Sequence, residues 1–286
     1  MQNPKPKSML VFLDHTFDLD DPSLVSVMDE LPLWSAPFGL KLLDSVKLKP
    51  HIRALDLGCG TGFPLIELAQ RLGPSCLIYG IDPWRAAAER VRLKISTLQL
   101  RNVIVCRAMG EKMPFRDEYF DLIVSNNGIN NVENPEKVLD ECFRTSRPAA
   151  RMLITVNLPG TMREFYEVYA SVLRDLCTEA EVEAMHNHIS AKRKPLQETE
   201  DLIRRAGFNI VRSVEDSFAW RFVDGTAMLN HSMIRLAFMD PWKDIVSLHD
   251  VESIFRILEE RLNIVAENTG ELNLTIPFAC IDCRKE

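Results

Sequence analysis

Between residues 52 and 156, short unbroken apolar runs alternate with stretches whose apolar residues recur every three or four positions. The runs at 52–57, 76–81, 103–106, 122–125 and 152–156 are predicted strands. The stretches at 64–72, 86–98 and 135–145 are predicted amphipathic helices. Near-continuous apolar strands separated by such helices imply a parallel sheet covered on both faces. Ahead of this series, residues 1–20 read as irregular. Asp20-Asp21-Pro22 then starts a helix with Leu24, Val25, Val27, Met28 and Leu31 along one stripe. After Pro32 and Leu33 a second helix carries Leu42, Leu43 and Val46. Beyond Pro159 the rhythm becomes helical over 161–190 and again over 226–264. A helix at 198–206 ends at Gly207, with a strand at 208–214 after it, and the chain closes on a strand at 272–281.

The first strand ends in Leu55-Asp56-Leu57-Gly58-Cys59-Gly60-Thr61-Gly62. Glycine at every second position lets the backbone approach a ligand more closely than any Cβ permits. The helix that follows points free N–H groups at the same place. A dinucleotide site would show G-x-G-x-x-G, and a nucleoside-triphosphate loop would place a lysine after its last glycine. Neither pattern occurs here, since Gly62 is followed by Phe63 and Pro64. An uncharged loop beside an acidic residue suits a ligand with a cationic or zwitterionic end.

This stretch resembles motif I of the class I S-adenosylmethionine-dependent methyltransferases, among them the small-molecule enzymes of ubiquinone and menaquinone biosynthesis. The resemblance covers the whole order of elements. It implies an α/β fold with a seven-stranded, mostly parallel, doubly wound sheet of the Rossmann-like methyltransferase type and helical cap insertions. The implied organisation is an N-terminal helical lid (1–50), in which Trp34 and Phe38 either close the site or simply pack in the core, and a cofactor-binding core (51–160). A helical cap insertion (161–195) and a C-terminal part of the core sheet (196–286), itself holding a helical insertion at 219–270, follow. In such enzymes the cap lies over the carboxyl edge of the sheet and builds the substrate pocket.

The same resemblance assigns the cofactor, S-adenosylmethionine, to Asp56, Gly58, Cys59, Gly60 and Gly62. Asp82, at the end of the second strand, becomes the ribose ligand, a bidentate task suited to a carboxylate. Pro83 and Trp84 flank the adenine. Met109, Gly110 and Glu111 precede the family's Pro-Phe, here Pro114-Phe115. Met109 stands where an acidic residue often reads the adenine amino group, so that hydrogen bond is either lost or falls to backbone groups at Gly110 and Glu111. Asn126 and Asn127, after the fourth strand, sit at the cofactor's methionine portion or form a turn. The family's Pro-Gly-Gly turn is replaced by Pro148-Ala149-Ala150.

The acceptor leaves a weaker trace. A net charge of −7 with scattered Lys and Arg argues against a nucleic-acid partner. The implied partner is a small apolar or aromatic molecule, and the expected assembly, if any, is a homodimer. Carbon and oxygen acceptors need a base, and His231 is the foremost candidate, ahead of His186, His188, Tyr166 and Tyr169. It is an isolated polar group in an apolar stretch, and a structural buried histidine has the same signature. Seven dispersed cysteines fit a reducing cytosol, and Cys280 and Cys283 fall on opposite faces of a strand, which gives no metal site. The apolar run 9–13 is too short for a signal peptide, and no segment is long enough to span a membrane, so a cytoplasmic protein is expected. A protein or RNA methyltransferase, a non-catalytic cofactor-binding module and an NAD- or nucleotide-sugar-dependent oxidoreductase are the alternatives.

Overall fold

The computed structural model describes residues 10–14, 17–30 and 34–286. The expectations for residues 1–9, 15–16, Leu31, Pro32 and Leu33 fall outside them. In chain order come α1 (Val11–Asp14), α2 (Pro22–Glu30), α3 (Ala36–Ser45), β1 (Arg53–Leu57), α4 (Leu65–Leu72), β2 (Leu77–Asp82) and α5 (Arg85–Thr97). β3 (Val103–Arg107), β4 (Phe120–Asn126), a 3-10 turn (Ile129–Asn131), α6 (Pro135–Thr145) and β5 (Ser146–Asn157) follow. The remainder is α7 (Arg163–Leu176), α8 (Glu179–Lys192), α9 (Leu196–Arg205), β6 (Phe208–Phe222), α10 (Gly225–Asn230), α11 (Ser232–Ala237), α12 (Met239–Ile245), α13 (Val251–Thr269) and β7 (Leu272–Lys285).

The strands form one seven-stranded sheet in the order β3-β2-β1-β4-β5-β7-β6. β3, β2, β1, β4 and β5 pair in parallel, and β7 runs antiparallel to β5. The chain runs from β1 outward through β2 to β3 and then returns to the other side of β1 with β4. That reversal opens a crevice at the carboxyl ends of β1 and β4, where ligands of such sheets bind.

The chain divides into two compact units. The sheet unit comprises 18–158, 193–216 and 277–286. Alternation along its strands builds two cores. Leu55, Leu57, Ile123, Met152, Ile154 and Val156 pack with Val138, Leu139 and Cys142 of α6. Ala54, Leu122, Val124 and Leu153 pack on the opposite face with Leu42 and Leu43 of α3 and Leu65, Leu68 and Ala69 of α4. Helix α6 starts as its sequence dictates, with Pro135 in its first turn and the Asn134 side chain accepting from the Lys137 amide.

Two elements differ from the periodicity. β6 continues to Phe222, eight residues past the expected end, because Glu215, Asp216 and Ser217 interrupt the apolar pattern without interrupting the strand. An outermost strand tolerates polar residues that a central one does not. Pro148-Ala149-Ala150 forms an irregularity inside β5. Phe120 pairs with Ser146 while Leu122 already pairs with Arg151, and Ala149 has φ of 66°, in the left-handed region where glycine is usual. Cys280 and Cys283 do face opposite ways: one thiol lies near Ser45 and the other donates to the Met152 carbonyl at 3.3 Å.

The second unit comprises residues up to 17, 159–192 and 217–276 and is mainly helical. Its centre is aromatic. Phe165 stacks on Trp242 with centroids 4.0 Å apart, and Tyr169 lies 6.1 Å from Phe255. The Trp242 indole donates to the Tyr166 hydroxyl at 3.1 Å, and the Tyr169 hydroxyl donates to the Trp242 carbonyl at 2.8 Å. No helix among the described residues is long and apolar enough to cross a membrane.

Candidate functional site

The glycine loop leaves β1 and hooks over the end of β2. The Gly58 and Cys59 amides both donate to the Ile81 carbonyl, at 2.9 and 3.1 Å. Gly58, Gly60 and Gly62 have φ of 76°, 48° and 107°, so each needs the freedom that only glycine has at no steric cost. Gly128 completes the loop's seat and was not singled out by the motif. A Cβ there would lie 2.8 Å from the Leu57 carbonyl oxygen and 2.6 Å from the Ser125 hydroxyl. An Asn-Gly pair directly after an apolar strand is the trace it left in the sequence. Gly128→Ala is expected to destabilise the protein by about 1–3 kcal/mol, since the displaced partner is backbone. Urea unfolding monitored by circular dichroism measures it, and an unchanged midpoint would show that the loop can shift freely.

Asp82 clamps this loop. One carboxylate oxygen accepts from the Gly60 amide at 2.9 Å and the other from the Trp84 amide at 2.8 Å. Each oxygen retains a lone pair for a further donor. Burial raises its pKa, and the two amide bonds oppose the rise. Asp56, two residues before Gly58, is completely buried, and neither carboxylate oxygen has a hydrogen-bond partner among the described residues. Its pKa is pushed up to about 8, first by burial and then by the Asp82 carboxylate. The Leu65 amide opposes the rise without making a full hydrogen bond. A buried carboxyl with no partner is costly in a folded chain and marks a place prepared for something else.

The other expected residues belong to the same unit and have varied settings. The Trp84 indole donates to the Leu19 carbonyl at 2.7 Å, which ties it to the N-terminal segment, and Pro83 is exposed. Met109 is 45% exposed and Gly110 is buried where a Cβ would crowd Leu57 and Val138. Glu111 accepts from the Asn134 amide at 3.3 Å. Cys59 is buried, and a Cβ on Gly80 would lie 2.9 Å from its sulfur, so its thiol, raised far above the usual range by burial, fills space. Asn126 donates to the Ser35 carbonyl at 3.1 Å and accepts from the Thr155 hydroxyl at 3.0 Å. Asn127 takes the left-handed turn, φ 59°, and its side-chain oxygen accepts from Asn130 Nδ2 at 2.9 Å.

A cationic partner of the loop also lay outside the motif. Lys94 of α5 donates to the Thr61 carbonyl at 2.8 Å and pairs with Asp29 of α2, which Arg90 also meets at 2.7 Å. Long-range pairings of this kind have no signature in a single sequence.

The side chain of the expected base caps a helix. His231 belongs to the helical unit, where its Nδ1 accepts from the Met233 amide at 3.2 Å and caps α11. Its ring meets Trp220 and Phe222 edge-on at 5.1 and 5.5 Å, and burial lowers its pKa. Accepting at Nδ1 places the proton of the neutral ring on Nε2. Tyr166 and Tyr169 are engaged with Trp242, and His186 is exposed.

Residues 48–201, just over half of the chain, match the family described as a methyltransferase domain. Demethylmenaquinone methyltransferase from Geobacillus sp. is 31% identical over 117 residues, which are 41% of this chain and 50% of that protein. The enzyme of the same name from Anoxybacillus flavithermus is 27% identical over 164 residues, 54% of this chain and 69% of its own. The chain therefore spans about half the length of the first of these relatives. Among solved structures, an S-adenosylmethionine-dependent methyltransferase from Aquifex aeolicus shares the fold with a TM-score of 0.53 at 24% identity, over 68% of this chain and 92% of that one. The YcgJ protein of Bacillus subtilis gives 0.55 at 14% identity over 88% and 99%. A [4+2]-cyclase gives 0.52 at 16% identity over 86% and 79%.

Proposed function

The chain belongs to the methyltransferase domain family, and from that premise we propose that it methylates a small apolar or aromatic molecule with S-adenosylmethionine. The observation that carries the reading is the pair Asp56 and Asp82 around the glycine loop. A cofactor with a ribose diol at one point and positive charge at another matches an acceptor-rich carboxylate on β2 and an orphaned one on β1. Asp82 receives the two ribose hydroxyls on its remaining lone pairs. Gly58 and Gly60 admit the cofactor's main chain without Cβ contact, and Trp84 borders the base. When bound, S-adenosylmethionine supplies a methyl group on a sulfonium, already an excellent leaving group. The chain's task is then to align the acceptor and exclude water. The names of the curated relatives favour a hydroquinone acceptor. The reading extends to the cytosol, where the seven free thiols stay reduced.

Asp56 gives this reading a pH signature. In the free protein its carboxyl keeps a proton up to about pH 8, whereas the unfolded chain releases it near the ordinary 3.8. The folded state therefore binds more protons across that window, and stability falls as pH rises from about 4 through 8. Asp56→Asn is expected to remove that slope in urea unfolding at pH 5 and pH 8. A positively charged ligand favours the ionised carboxyl, so S-adenosylmethionine binds more weakly as pH falls below about 8, by at most tenfold per unit. The same slope in wild type and Asp56→Asn would remove Asp56 from this role. Transfer of a radiolabelled methyl group to reduced demethylmenaquinone tests the acceptor class. Labelling of protein or RNA in place of the quinol would redirect it.

A further inference from the structure

A second orphaned polar group shares a sheet face with Asp56. Ala54 and Leu153 both pack toward α3 and α4, and alternation puts Asp56, Asn126, Thr155 and Asn157 on that same face at the carboxyl ends of β1, β4 and β5. Asn157 is 6% exposed, and its Nδ2 has no hydrogen-bond partner among the described residues.

Its neighbours fix which amide atom is left over. The backbone N–H of Asn157 donates to Asn127 at 3.3 Å, so the receiving atom of Asn127 is its oxygen. That oxygen also receives Asn130 Nδ2 at 2.9 Å. The same Asn130 Nδ2 lies 3.4 Å from Asn157, which must turn its own oxygen toward it. Reversing the Asn157 amide would set two donors against each other. The relay therefore holds Nδ2 as an unused buried donor, a costly arrangement unless something accepts from it.

The surroundings say what. Asn157 pairs with Phe278 across the antiparallel ladder, so their side chains stand side by side. Phe278 meets Phe38 of α3 edge-on at 4.9 Å, and Phe38 meets Trp34 at 5.7 Å. Strand order places the ribose at Asp82 on β2 and positive charge at Asp56 on β1. Asn157 lies two strands further on, roughly 10 Å across the sheet, and about 13 Å farther along the strand direction than Asp56. It is thus past the methyl-donor end of the crevice.

We infer that Asn157, oriented by Asn130 and Asn127 and set beside the Phe278–Phe38–Trp34 edge, donates its Nδ2–H to a ring oxygen of an aromatic acceptor. The subsite selects a flat hydroquinone-like ring bearing a carbonyl or phenolate oxygen, and it deepens the proposed function, on which it rests. A donor in a buried site holds an anionic oxygen more strongly than a neutral one.

Binding of 2-hydroxy-1,4-naphthoquinone, which is anionic near neutral pH, to the S-adenosylhomocysteine-saturated protein tests this by calorimetry. Asn157→Asp replaces the donor by a carboxylate of the same shape and is expected to weaken that binding by about 10- to 100-fold. Its affinity for S-adenosylhomocysteine should stay within twofold of wild type. Asn130→Ala keeps the Asn157 amide, releases its orientation and should give a smaller loss, which guards against misfolding of the first variant. Naphthalene, which has no oxygen, should bind wild type and both variants alike. If both variants bind the hydroxyquinone as wild type does, the Asn157 assignment is wrong while the cofactor reading stands. If wild type binds S-adenosylhomocysteine but not the hydroxyquinone, the aromatic acceptor fails and this subsite with it.

Discussion

Asp82→Ala is expected to weaken S-adenosylhomocysteine binding by at least about 100-fold. A hydrogen bond to a charged group contributes about 1.5–3 kcal/mol, and the ribose diol would lose two of them. Two such losses correspond to roughly a hundredfold to ten-thousandfold or more in Kd. The substitution also removes the acceptor of the Gly60 and Trp84 amides, so the loop loses its anchor to the end of β2. Asp82→Asn keeps one acceptor oxygen and should fall between wild type and alanine. Calorimetric titration of each variant, after circular dichroism has established that it is folded, reads the effect. A Kd within threefold of wild type for Asp82→Ala would take the ribose away from this residue.

Trp242→Ala is expected to cost the helical unit about 3–5 kcal/mol, the range for deleting a fully buried large aromatic side chain. The stack with Phe165 and the bond to the Tyr166 hydroxyl disappear together. The Tyr169 hydroxyl donates to the backbone of Trp242 and keeps its acceptor only if α12 stays in place. Trp242→Phe, which retains most of the stack, should cost markedly less. Urea unfolding of the two variants compares them. Equal costs would mean that the indole hydrogen bond, and not ring packing, holds this centre.

What could be read from the sequence follows from the range of the interactions involved. Strand–helix alternation from β1 to β5 was legible because burial on both faces leaves unbroken apolar runs. The glycine loop was legible because positive φ at Gly58, Gly60 and Gly62 restricts the residue type locally. Gly128 is required by a backbone atom 71 positions upstream in the chain, the Leu57 carbonyl, and the Asn-Gly pair at its own place announces a turn and not that demand. The Asp29–Lys94–Thr61 connection and the Asn127–Asn130–Asn157 relay are hidden for the same reason. His231 illustrates an ambiguity of residue type. A lone histidine in an apolar stretch serves equally as a base or as a helix cap, and here Nδ1 is committed to the cap.

A sheet of this order also carries chemistry other than methyl transfer, as the [4+2]-cyclase with the same fold illustrates. Cofactor binding therefore separates methyl transfer from such chemistry. Isothermal titration of the wild-type protein with S-adenosylhomocysteine at pH 8, where Asp56 can ionise, addresses it most directly. One-to-one binding with Kd in about the 1–100 µM range is expected. Absence of binding below about 1 mM would contradict it.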